Sequence, residues 1–205
     1  MTDAIFLGSF DPPHLGHTNV IMSVINSDIS KSINSIHIIP TKQNPNKKDS
    51  TPILYRYYMS KLMFETLSTE DTNVIVNDIE FKHDWTYTYD MLEYLSNDND
   101  KSIGKDFLWI LTEETYHEIL YGSWYNSAEI LSKYIDRMII VGTIKPELEK
   151  YFSQICKCKA YVNLMPGFKM HSTDIRNFIK QNKNVELYFN KGVYNIIKEN
   201  NLYMK

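Results

Sequence analysis

The stretch Ala4-Ile5-Phe6-Leu7-Gly8-Ser9-Phe10-Asp11-Pro12-Pro13-His14-Leu15-Gly16-His17 passes from an apolar run into a glycine, a proline pair and two histidines. Ala4 to Leu7 is short, continuous and apolar, the pattern of a buried strand. Gly8 follows at once, and a residue without a Cβ lets a ligand phosphate approach the backbone closely. Pro12 and Pro13 stiffen the turn and place a helix start just after them. With a helix beginning near His14, the imidazoles of His14 and His17 share one side of its first turn, and Gly16 between them leaves room. Free N–H groups and the dipole already favour anions at such a helix end. Two histidines added there make a phosphate site. A metal pair is more often spaced four apart and joined by a third ligand. Neither the Gly-x-Gly-x-x-Gly fingerprint nor the P-loop occurs in the chain.

Outward from this stretch, short apolar runs alternate with helical periods. A helical stripe holds Val20, Ile21, Val24 and Ile25. Ser35 to Ile39 is expected as a second strand, closed by Pro40, and a polar loop runs from Thr41 to Thr51. Leu54, Tyr58 and Leu62, with Met59, Met63 and Leu67, predict a helix over 53–67. Further strands are expected at 74–79, 107–111, 138–141 and 160–164, and helices at 88–95, 128–133, 173–181 and 185–200. Strands alternating with helices predict an α/β chain with a Rossmann-like, doubly wound parallel sheet covered on both faces, ending in helices. In such sheets ligands bind outside the carboxyl ends of the strands, where the strand order reverses. With no internal repeat and no linker, residues 1–205 read as one domain.

The bulk composition agrees. A chain of 205 residues with 43% apolar and 13% aromatic residues can bury a sizeable core. A formal charge of −3 argues against a general nucleic-acid coat, and it leaves small anionic substrates open because a local site holds those. Cys156 and Cys158 are too close in sequence to pair readily and have no second pair to complete a zinc site, so they read as reduced thiols. Together with the lack of a signal peptide they predict a cytoplasmic protein, and no apolar run reaches the roughly 18 residues of a membrane span. Arg56, Arg137 and Arg176 are the only arginines among many lysines, so each is expected to need its planar fork.

A second anion site is expected at Met170-His171-Ser172-Thr173-Asp174-Ile175-Arg176. Ser172 or Thr173 suits an N-cap and Asp174 the first turn. Arg176 opposes the dipole there, unless an anion sits between it and the helix end. Hydroxyls, N–H groups and a guanidinium fork together hold a polyphosphate.

Gly8 to His17 resembles the His-x-Gly-His signature of the nucleotidyltransferase superfamily. Ser172-Thr173-Asp174-Ile175-Arg176 is similar to the second motif of the nicotinate- and nicotinamide-mononucleotide adenylyltransferases. The likeness extends along the chain, through Pro40 and Asn44-Pro45-Asn46-Lys47, Arg56, Trp85-Thr86-Tyr87-Thr88, Trp124 and the ending Val193 to Tyr203. It implies an enzyme of NAD biosynthesis that joins the AMP of ATP to nicotinate or nicotinamide mononucleotide and releases pyrophosphate. Catalysis would fall to His14, His17 and Arg176. ATP would be held by Gly8, Ser9, Phe10, His17, Lys47, Ser172, Thr173 and Arg176, and Mg²⁺ would ride on the substrate phosphates. Trp85, Thr86, Tyr87, Trp124 and Glu114 would take the mononucleotide. No nucleic acid or membrane partner is implied, and the oligomeric state stays open, as does the choice between the two mononucleotides.

Two positions depart from the family pattern. Thr112-Glu113-Glu114 stands where the family has Gly-x-Asp, with two extra residues before Trp124, and His171 stands where a serine precedes the second motif. The competing readings are another small-molecule adenylyltransferase of the superfamily and a nucleotide sensor with weakened turnover. A class I aminoacyl-tRNA synthetase fragment fits less well, because Met59-Ser60-Lys61 lies inside a helical period and no tRNA-binding domain follows.

Overall fold

The computed structural model describes residues 1–42, 50–167 and 170–204. Its strands are β1 (Thr2–Gly8), β2 (Ile33–Pro40), β3 (Asn73–Val76), β4 (Leu108–Thr112), β5 (Met138–Gly142) and β6 (Ala160–Asn163). They form one sheet in the order β3-β2-β1-β4-β5-β6, every neighbouring pair parallel. The doubly wound, Rossmann-like expectation is met. The order reverses between β1 and β4, whose registers pair Ala4 with Leu108 and Phe6 with Ile110. Gly8 and Thr112 therefore end two adjacent strands at the crevice where such sheets bind ligands.

The helices among the described residues are α1 (Leu15–Ile25), α2 (Ile53–Phe64), α3 (Ile79–Lys82), α4 (Thr88–Ser96), α5 (Glu113–Leu120), α6 (Ser127–Tyr134), α7 (Glu149–Cys156), α8 (Ser172–Lys180) and α9 (Lys191–Glu199). Successive strand residues point to opposite faces, and both faces are covered, which is why the strands read as unbroken apolar runs. On one face Ala4, Phe6, Ile36, Ile38, Ile110 and Ile139 meet α1, α2, α8 and α9 through Ile21, Met59, Ile175 and Val193. On the other, Ile5, Ile39, Trp109, Leu111 and Ile140 meet Ile79, Leu92, Ile119 and Ile130 of α3 to α6. No helix among the described residues is long and apolar enough to cross a membrane.

Several expected boundaries move. The third strand stops at Val76, short of the expected 79. Asn77 donates its backbone N–H to the Ile38 carbonyl, and its side-chain oxygen accepts from the N–H of Ile79, so the chain turns there into α3. The helix expected over 53–67 ends at Phe64 and tightens into a 3₁₀ turn over Glu65–Leu67. The last expected helix splits into a turn over Glu186–Tyr188 and α9. Three helices, α3, α5 and α7, lie where none was expected. Thr112 caps α5 by accepting from the Thr115 N–H at 3.3 Å, and Glu113 and Glu114 complement the dipole in its first turn. Residues that looked like a departure from a loop motif are a helix start.

Candidate active site

From Gly8 the chain runs through Ser9 and Phe10, with φ of 45° at Phe10, and across a cis Asp11–Pro12 peptide into α1. Phe10 is 2% exposed, its ring 5.2 Å from Phe64, 5.6 Å from Phe6 and 5.1 Å from His17. A Cβ on Gly8 would lie 2.7 Å from that ring. This corrects two expectations. The missing side chain at Gly8 makes room for Phe10, and the Phe10 ring is a core element that leaves only its backbone to face a ligand. Ser9 presents its carbonyl to Arg56.

His14 is the N-cap of α1 and not its first residue. Its Nδ1 accepts from the Gly16 N–H at 3.1 Å, and its own N–H donates to His17 Nδ1 at 3.2 Å. In a neutral imidazole the nitrogen opposite an accepting one carries the proton, so both Nε2 atoms are N–H donors. The two rings lie 3.8 Å apart. His14 is 3% exposed, and burial, with the neighbouring His171 adding to it, lowers its pKa to about 4. Its Nε2 is buried without a hydrogen-bond partner. A buried, unpaired N–H is costly to leave unsatisfied, so a donor of this kind beside a helix N-terminus is a ready anion contact.

The second anion motif sits directly against this loop. Ser172 Oγ donates to the Pro12 carbonyl at 3.0 Å, and Arg176 Nη1 donates to the Asp11 carbonyl at 2.7 Å. Arg176 Nη2 reaches Thr173 Oγ1 at 3.0 Å. The N-cap is His171, where Ser172 or Thr173 was expected. Its N–H donates to Asp174 Oδ2 at 3.3 Å, because Asp174 is the third helical residue and can reach back. Arg176 lies one residue beyond the first turn, and its guanidinium folds back to the helix start, so its charge still meets the N-terminal end. The N-termini of α1 and α8 are thus fastened together side by side.

Beneath them Arg56 is 1% exposed and spends its fork on four carbonyls: Thr51 at 2.8 Å, Ser9 at 2.6 Å, Thr41 at 2.7 Å and Lys42 at 3.0 Å. Burial lowers its pKa, and Asp11, Tyr203 and Glu80 oppose that. The planar fork expected of a retained arginine is there, used to hold the loops that follow β1 and β2. Asp11, which the sequence reading passed over, accepts from Tyr203 Oη at 2.7 Å and from the Thr51 N–H at 3.2 Å. Lys47 lies outside the described residues, as does Asn44-Pro45-Asn46.

The segments expected to take the mononucleotide gather on the other side of the crevice. The Trp85 ring stacks on His83 at 4.2 Å and lies 5.1 Å from Tyr94, half-buried, so its side chain is chiefly a packing element. Thr86 is exposed, and Tyr87 stacks on exposed Tyr125 at 4.2 Å, joining this segment to the loop that carries Trp124. Trp124 donates its indole N–H to Glu118 Oε2 at 3.0 Å and its backbone N–H to Ser127 Oγ at 3.1 Å. Glu114 is exposed, with its carboxylate 3.8 Å from His171 Nδ1, so it faces the second anion motif. A depression of about 520 Å³ lies between, lined by Glu113, Glu114, His117, Glu118, Tyr121 and Ser123.

A family model described as cytidylyltransferase-like matches residues 5–178. A probable nicotinate-nucleotide adenylyltransferase of Caldicellulosiruptor bescii is 30% identical over 212 residues, covering 100% of both chains. One from Clostridium botulinum strain Loch Maree is 29% identical over 208 residues, covering 98% of each. Among solved structures, the nicotinic acid mononucleotide adenylyltransferase of Plasmodium falciparum complexed with NaAD superposes with a TM-score of 0.72 at 19% identity, over 98% of this chain and 97% of that one. That likeness carries the fold. The chain belongs to the cytidylyltransferase-like family and, within it, to the nicotinate-nucleotide adenylyltransferases, a group of nucleotidyltransferase enzymes.

Proposed function

We propose that this chain transfers AMP from ATP to nicotinate mononucleotide, forming deamido-NAD and pyrophosphate. The observation that carries the reading is the meeting of two helix N-termini, one bearing His14 and His17 and the other Ser172, Thr173 and Arg176, fastened through the Asp11 and Pro12 carbonyls. The 5′-phosphate of the mononucleotide attacks the α-phosphorus of ATP in line. The bond to the bridging oxygen breaks, and pyrophosphate leaves with that electron pair. No covalent intermediate is needed, and catalysis is positioning plus stabilisation of charge on the phosphoryl oxygens.

His17 donates through Nε2 to the α-phosphate as charge develops, with His14 beside it. Arg176 and the hydroxyls of Ser172 and Thr173 take the departing pyrophosphate, and the backbone at Gly8 to Phe10 lines the triphosphate. Lys47 would add a cation from the loop after β2. Tyr87, Thr86 and Trp124 take the pyridine ring, Trp124 by stacking, with Trp85 supporting them from behind. Glu114 borders this side. Among the described residues, no three His, Cys, Asp or Glu side chains are grouped to hold a metal ion. A Mg²⁺ carried by the substrate would neutralise charge on the phosphates.

The test is pyrophosphate release from ATP with a panel of phosphorylated acceptors, nicotinate and nicotinamide mononucleotide side by side. A higher kcat/KM for the nicotinate form is expected. ATP binding without turnover of any acceptor would refute the reading in favour of a sensor. His17→Ala lowers kcat by about a hundredfold or more with folding intact, equivalent to about 2–4 kcal/mol of barrier. A loss under about threefold removes His17 from its assigned role.

A further inference from the structure

We propose that the hydroxyl of Tyr203, in the segment that follows α9, is a positioning residue for the ATP phosphate clamp, acting on Arg176 through Asp11. The proposal rests on the function assigned above.

Three bonds carry it. Tyr203 Oη donates to Asp11 Oδ1 at 2.7 Å, the Thr51 N–H donates to Asp11 Oδ2 at 3.2 Å, and Arg176 Nη1 donates to the Asp11 carbonyl at 2.7 Å. Asp11 is 4% exposed. Its carboxylate is thus held from the C-terminal tail on one oxygen and from the start of α2 on the other, and its carbonyl, next along the same residue, aims the guanidinium. At Asp11 the tail, the loop before α1 and the α8 clamp meet. With both carboxylate oxygens held, the whole residue is restrained, and with it the backbone carbonyl that Arg176 points at.

The tail is bent to make this contact. Asn201 has φ of 50° and Tyr203 φ of 66°, both left-handed. For a bulky aromatic residue that conformation is costly, and it persists only where surrounding contacts compensate. Leu202, between them, packs against the core, which brings the Tyr203 ring to the loop. Burial and the neighbouring Asp11 raise the pKa of Tyr203, so the phenol keeps its proton and stays the donor. Packing alone accounts for the ring. The hydroxyl, aimed at a buried carboxylate one bond from the clamp, needs a further reason.

Tyr203→Phe removes the hydroxyl and keeps the ring. The expected result is a fall of about tenfold in kcat/KM for ATP, with KM for the mononucleotide within about twofold. In an Arg176→Lys background the same change costs less than about threefold, because two residues acting through one contact are not additive. Asp11→Asn, which leaves one oxygen for two donors, gives the same split between substrates and keeps the test alive if Tyr203→Phe folds poorly. Ile33→Ala, a buried truncation at the start of β2 and at the opposite end of that strand from the site, is the structural control. It lowers the thermal midpoint and leaves kcat/KM for ATP within about twofold. The proposal is overturned if Tyr203→Phe and Asp11→Asn leave kcat/KM for ATP within twofold, if both substrates suffer alike, or if the effect is undiminished beside Arg176→Lys. Wild-type protein that releases no pyrophosphate with any mononucleotide refutes the assigned reaction instead.

Discussion

Protonation of His14 should destabilise the folded chain over a defined pH window. In the unfolded chain this imidazole takes its proton near 6.5, whereas in the fold burial and His171 hold it neutral down to about 4. The folded state therefore binds fewer protons between those values. His14 contributes stability that is present above pH 6.5 and is lost as the pH falls toward 4. A difference of this size, at 1.36 kcal/mol for each pH unit, corresponds to about 3 kcal/mol in full, of which about 2 kcal/mol is lost between pH 7 and pH 5. The variant that isolates it is His14→Asn, since an asparagine oxygen can still cap the first turn and does not titrate there. Urea unfolding of both proteins at pH 7 and pH 5 gives the four free energies needed. His37, also buried and held low, is common to both and cancels. The wild type should lose about 2 kcal/mol more than the variant. A difference below about 0.5 kcal/mol would mean that His14 is solvated enough to accept a proton in place, and the neutral Nε2 donor assigned to it would fall.

Removing the fork of buried Arg56 leaves four part-buried carbonyls short of a donor, so Arg56→Met should cost about 3–5 kcal/mol in urea unfolding, and a cost under about 1 kcal/mol would contradict the role given to that fork. Gly8→Ala drives a methyl group into the Phe10 ring and should cost about 1–3 kcal/mol, with part of it recovered by adding Phe10→Leu; no recovery would place the strain elsewhere. Trp124→Ala should raise KM for the mononucleotide on the order of tenfold, the worth of one aromatic stack, with KM for ATP within about twofold. Equal effects on both substrates would move Trp124 out of the pyridine site.

The pattern of apolar runs and helical periods was enough to order the strands and helices along the chain, because both faces of the sheet are covered and the strands carry little else. It missed α5 and α7, and also the single turn of α3. Glu113 to Leu120 carries its helix start in plain view, a threonine cap followed by two glutamates, but comparison with a loop motif drew the eye from it. Glu149 to Cys156 has no fully buried residue: Phe152 and Cys156 rest partly buried on the core while Tyr151 and Ile155 stay exposed, so its apolar residues mark no single face. The two anion motifs were legible because helix starts beside strands have a local signature in proline, glycine, hydroxyl and histidine. Asp11 was not legible, since a carboxylate in a phosphate loop gives no sign of which donors will reach it.

The local chemistry of each helix N-terminus is written in consecutive residues, and so the sequence by itself determined that His14, His17, Ser172, Thr173 and Arg176 would stand at helix starts. Whether those ends face the same anion depends on where β1 and β6 leave the sheet and how α8 packs, a relation between distant residues that only burial and strand order decide. The tertiary structure alone brought Arg176 to the carbonyl of Asp11, and it set the Phe10 ring where a side chain on Gly8 would lie. Side-chain volume competing for one interior decides such matters, and volume is filled by neighbours in space.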